Sequence, residues 1–121
     1  MNKEPKIVKI LQEHGEVSDE IDYFINMKLI ELYGGGFTAC QPSLVELEGG
    51  LQAIKMGIDY TYIDAKSSEV MGYGIIGSIY LNVENELPKI IYITPKEELD
   101  EKIKYIIENG IEAQPRPKGK Y

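Results

Sequence analysis

The stretch Ser43-Leu44-Val45-Glu46-Leu47-Glu48-Gly49-Gly50-Leu51-Gln52-Ala53-Ile54-Lys55-Met56-Gly57 decides how the whole chain is read. Its first four residues have the form of a capping box, in which a serine oxygen takes an orphan amide and a glutamate reaches back. The spacing then predicts a helix over 44–56, stopped by Gly57. Gly49 and Gly50 fall in the middle of it, at about 1 kcal/mol each relative to alanine. They require either the close packing of another backbone or a break.

Upstream, Tyr33-Gly34-Gly35-Gly36-Phe37-Thr38-Ala39-Cys40-Gln41-Pro42 leads into this helix start. Glycine adopts geometries that other residues resist, so a run between two ordered elements is a place for backbone to close on a ligand. Ahead of the run, Ser18 followed by Asp19 and Glu20 starts a helix, because acids favour the positive end of the helix dipole. It carries Ile21, Phe24, Ile25, Met27, Leu29 and Leu32 and stops at Gly34, although 27–33 reads equally as a strand. Ile7, Ile10, Leu11 and His14 stand at helical spacing between Pro5 and Gly15, which predicts a helix over 5–14.

Downstream the period becomes two. Residues 59–64 alternate, with Tyr60 and Tyr62 on one face and Thr61 and Ile63 on the other. Residues 75–83 alternate as well, with Ile75, Gly77, Ile79, Leu81 and Val83 on one face and Ile76, Ser78, Tyr80 and Asn82 on the other. The short turn at 84–88 joins this strand to another over 89–94 as an antiparallel hairpin. Thr94-Pro95-Lys96-Glu97 has the form of a second capping box, and Leu99, Ile103, Ile106 and Ile107 form the buried stripe of a final helix ended by Gly110. Residues 111–113 have the makings of a short strand, and 114–121 read as a mobile basic tail.

The expected fold class is therefore α+β, with about four helices on one face of a mostly antiparallel sheet of three to five strands, in a single domain over 1–113. The second sheet face, with Tyr60, Tyr62, Ser78, Tyr80 and Asn82, suits a subunit contact, and a homo-oligomer is expected.

Composition removes several functions. No stretch approaches the roughly 18–20 apolar residues of a membrane span, and the single cysteine makes no intramolecular disulfide, so a cytoplasmic setting is expected. The net charge is −7. Residues 10–54 hold Glu13, Glu16, Asp19, Glu20, Asp22, Glu31, Glu46 and Glu48 against Lys28 alone. A nucleic-acid binder needs a basic face for phosphates, so nucleic acid is an unlikely partner.

The candidate chemistry gathers at the glycine run. Gly34, Gly35, Gly36, Thr38 and Ser43 are the predicted ligand-binding backbone, since free amides at a helix start attract phosphate or carboxylate. The stretch fits neither of the familiar phosphate-loop patterns, and no cation follows it. Cys40 stands before the same helix start, where a thiol's pKa falls, and its one available base is His14. Asp64 and Glu69, near Asp59, are candidate acid–base groups. Tyr60, Tyr62 and Tyr73 are candidates to stack on a ligand. One cysteine and one histidine cannot complete a zinc site, no metal is expected, and the sequence leaves any cofactor unknown. The functional expectation is a domain that binds a small anionic or nucleotide-like ligand at the glycine-rich loop and helix N-terminus, with catalysis left open. The alternative is a non-enzymatic acidic module, an inhibitor or adaptor, that binds a protein.

Overall fold

The computed structural model describes residues 3–13, 15–63, 68, 70–84, 87–108 and 114–115. The elements run in the order β1 (Ile7–Gln12), α1 (Asp19–Tyr33), β2 (Phe37–Leu47), β3 (Gln52–Ile63), β4 (Val70–Glu84), β5 (Leu87–Ile93), α2 (Lys96–Glu108) and β6 (Gln114–Pro115). Strands β1 to β5 form an antiparallel meander in sequence order, and β6 adds to the end of β4 that β5 leaves open, pairing with Met71 and Gly72. The mixed α+β content agrees with expectation. The four helices do not: the described residues form two helices packed against a sheet that takes about half the chain.

The first correction lies at 43–57. This stretch is the end of β2, a tight turn and the start of β3, with Ser43 opposite Lys55, Leu44 opposite Ile54 and Val45 opposite Ala53. Gly49 and Gly50 break the helix because they form the turn, at φ 96° and 94°, where an L side chain is strained. Leu47 donates its N–H to Leu51 O at 2.7 Å and closes the hairpin. Apolar residues in alternate and adjacent positions satisfy two strand faces here as well as they satisfy a helix stripe. The pairing partner decides between them.

The second correction lies at 5–14. Residues 7–12 are the edge strand β1, paired with β2 through two register shifts, between Ile7 and Lys9 and between Ile10 and Gln12. Each shift inserts an extra residue and breaks the two-residue period. The remaining spacing of Ile7, Ile10 and Leu11 imitates a helix. His14 lies outside the described residues.

Helix α1 agrees with the reading of 18–33 as a helix. Ser18 Oγ accepts from Ile21 N–H at 3.3 Å, and Gly34 N–H, at φ 88°, closes the last turn on Ile30 O. It buries Ile25 and Leu29 against Met56 and Ile58 of β3, and Phe24 and Tyr33 pack around them. Asn26 supplies what the short β1 does not: its Oδ1 accepts from Ala39 N–H at 3.0 Å, where β2 extends beyond its edge partner.

Helix α2 lies on β4 at Gly77. A Cβ built there would stand 2.7 Å from Leu99 Cδ2 and 3.0 Å from Thr94 Cβ, so the bare backbone makes room for the fully buried Leu99. The predicted capping box before α2 is replaced by a tertiary link. Thr94 Oγ1 accepts from Ser78 N–H at 2.8 Å and Thr94 N–H donates to Ser78 O at 3.0 Å. Tyr33 O–H donates to Thr94 O at 2.8 Å, which ties α1 to the same point.

One strand phase also changes. Ile58 pairs with Gly77 and Asp59 with Ile75, so Ile76 is an extra residue in β4. The bulge moves Ile76 into the core at 2% exposed and leaves Ile75 49% exposed, the reverse of strict alternation.

Leu99→Ala should cost about 2–5 kcal/mol, and Gly77→Ala about 1–3 kcal/mol by overpacking. Because both act on one contact, the double variant should lose less than the sum of the two, measured by urea unfolding.

Candidate functional site

Gly34, Gly35 and Gly36 connect the end of α1 to the start of β2, and each end of the run has a structural task. Gly34 caps the helix. Gly36, at φ 97°, accepts from Thr61 N–H at 2.8 Å, and a Cβ there would meet Thr61 O at 2.9 Å and the Tyr60 ring at 3.2 Å. The dipole end beside the run is the C-terminal, electron-rich end of α1, and Ser43 and Leu44 sit within β2. The helix start expected at Leu44 is therefore strand.

Thr38, Cys40 and Ser43 lie on the sheet face away from the helices, since the intervening Phe37 and Ala39 pack with the helical core. Thr38 stands opposite Asp59 in the ladder, Cys40 opposite Gly57 and Ser43 opposite Lys55. Cys40 Sγ lies 3.7 Å from Gly57 O. Asp59 is only 1% exposed, so the structure brings Cys40 and Thr38 beside a buried carboxylate on one face. Among the described residues no three His, Cys, Asp or Glu side chains converge as a metal group would require.

The tyrosines separate. Tyr60 packs with the helical core, its ring 5.0 Å from Phe37, whose ring is in turn 6.0 Å from Tyr33. Tyr62 and Tyr73 belong to β3 and β4, in the half of that hairpin beyond the helical core. Asp64 and Glu69 lie outside the described residues. The tyrosine that organises the second face is Tyr80, 1% exposed, with its ring 6.0 Å from Tyr92 and Lys55 Nζ 5.8 Å above it. Its O–H donates to Glu4 Oε2 at 2.8 Å, which draws the segment before β1 across this face. Burial first, then the hydrogen bond to Glu4 and the charge of Glu4, push the Tyr80 phenol well above its ordinary value.

Cavities lined by described residues include one at the β2–β3 turn and one on the second face. The former, of about 440 Å³, lies between Leu44, Leu51, Ile54, Leu81 and Asn82. The latter, of about 150 Å³, lies between Ile10, Glu13, Ser43 and Lys55.

The most distinctive surface is the outside of α1. Tyr23, Met27 and Ile30 are 68%, 44% and 52% exposed and stand at i, i+4 and i+7, in one stripe opposite Ile25 and Leu29. Sequence reasoning counted Met27 with the core and passed over this second stripe. Its signal was available: apolar residues nearly encircle the helix, which one buried face does not require.

These features define a two-layer α+β domain, a five-strand antiparallel meander with both helices on one face, a cross-braced second face and an apolar outer helix stripe. No helix among the described residues is long and apolar enough to cross a membrane. The chain matches no protein-family model, no curated protein and no solved structure.

Unfolding ionises a tyrosine near pH 10, whereas folded Tyr80 keeps its proton to higher pH. The folded state then binds more protons than the unfolded one, so stability falls as pH rises above about 10. The urea midpoint should drop over that range, and Tyr80→Phe should flatten the drop.

Proposed function

We propose that this domain is a non-enzymatic protein-interaction module that docks its partner on the outer face of α1. The observation that carries this reading is the exposed Tyr23–Met27–Ile30 stripe on a helix whose opposite face already fills the core. Scattered apolar side chains on a surface are ordinary; an aligned stripe on one rigid element is what protein contacts use. Two of the three glycines that suggested a ligand loop have structural tasks, Gly34 as a helix cap and Gly36 as one tight approach to β3. A photo-reactive amino acid placed at Met27, in the cells that make the protein, should give a discrete protein adduct, and the same group at the exposed Lys102 of α2 should not. Equal or absent labelling at the two positions removes the reading.

A second reading keeps a small anionic ligand and rests on the cavity of about 150 Å³ beside Lys55 and Ser43. Its size suits an anion of a few heavy atoms, with the Lys55 ammonium as counter-charge against the Glu13 carboxylate that lines the same cavity. It predicts a rise in melting temperature with acetate or phosphate that is lost in Lys55→Met. A flat response to both removes it.

A further inference from the structure

Resting on docking at α1, we infer that the partner presents a basic amphipathic helix, with apolar anchors that meet Tyr23, Met27 and Ile30 and Lys or Arg that meet the acids at the start of α1. At about 100° per residue the three apolar side chains fall within an arc of about 60°, and the stripe runs for about 10 Å along the helix. A helix laid against it with anchors at i, i+3 or i+4 and i+7 matches that geometry.

Charge selects the partner. Glu16, Asp19, Glu20 and Asp22 are all exposed and lead directly into Tyr23. None of them takes part in an ion pair among the described residues, whereas the cation of α1, Lys28, is matched by Glu31 at 3.6 Å. Part of this acidity serves the helix dipole, which welcomes negative charge in the first turn. The dipole effect fades within that turn, so Glu16, which precedes the helix, gains least from it and leaves negative charge to face a partner.

A second copy fits poorly. In an antiparallel pair the acidic start of each α1 meets the last turn of the other, which carries no basic residue and is the negative end of the helix dipole. Anionic lipid and nucleic acid are repelled by the same acids. A cationic helix gains from both parts of the surface: apolar burial along the stripe and charge attraction at its N-terminal end.

The test uses the purified full chain and two labelled peptides of about 16 residues, long enough to form a helix on binding. Both carry leucine at i, i+3, i+4, i+7 and i+11; one has lysine at the remaining positions and the other glutamate. Fluorescence anisotropy should show the lysine peptide binding at least about 10-fold more tightly than the glutamate peptide, with affinity falling as salt rises. Met27→Gln with Ile30→Ser should weaken the lysine peptide about 10-fold or more, and Asp19→Asn with Asp22→Asn should weaken it several-fold and reduce its salt dependence. Circular dichroism checks that each variant retains the fold. The inference fails if the lysine peptide binds no better than the glutamate peptide, or if its affinity ignores Met27→Gln with Ile30→Ser and so reflects acidity alone. It fails equally if sedimentation shows a dimer that Ile30→Ser dissolves. An adduct at Met27 in cells together with failure of the lysine peptide would leave docking at α1 standing and overturn the basic-helix chemistry alone.

Discussion

The contact of Leu99 with the bare backbone at Gly77 fixes how the two layers of this domain meet. Helix α2 approaches β4 so closely that a single Cβ would collide with Leu99 and Thr94, and Leu99 is fully buried as a result. Removing such a side chain from water contributes roughly 1.5–3 kcal/mol. Close packing alone leaves the helix free to slide along the sheet. The hydrogen bonds between Thr94 and Ser78 set its position, and Tyr33 brings the end of α1 to the same carbonyl. Both helices are thus referred to one point between β4 and β5.

The sheet solves its exposed-edge problem locally. β1 is short and twice bulged, which makes it a poor template for another strand. Where β1 stops, β2 still has an N–H to satisfy at Ala39, and Asn26 of α1 satisfies it. At the other edge, β5 carries Pro88 and Lys89, both unfavourable to further pairing. With both edges discouraged, the docking proposed at the outer stripe of α1 does not compete with strand pairing.

The second sheet face shows how a polar group is kept inside a small domain. Tyr80 and Tyr92 give it aromatic bulk, Lys55 lies over the ring, and Glu4 accepts the phenol hydrogen bond. A buried hydroxyl without a partner would destabilise the fold by about 1–3 kcal/mol. Here the partner comes from the segment ahead of β1, and it closes the second small core over Val45, Leu47 and Ala53. The face expected to carry subunit contacts through tyrosine is, at Tyr80, already filled by the chain itself.

Local chemistry alone determined the elements whose signals are short-range. The Ser18 cap and Gly34 stop bounded α1, the apolar stripe that includes Leu99 announced α2, and the short connection predicted the antiparallel pairing of β4 with β5. The acidity before Tyr23 was equally plain in the sequence. Pairing decided the rest. Ser43 to Glu46 imitates a helix start as well as a strand, and only the ladder with 52–55 turns Gly49-Gly50 into a hairpin. The bulges in β1 and at Ile76 shift the phase of the side chains, and a bulge exists only relative to the strand opposite it. For the candidate site the same limit held: residue type marked Gly36, Cys40 and Tyr60 as interesting. Whether each meets a ligand, a ladder partner or a core ring depends on contacts far away in sequence, which no local pattern encodes.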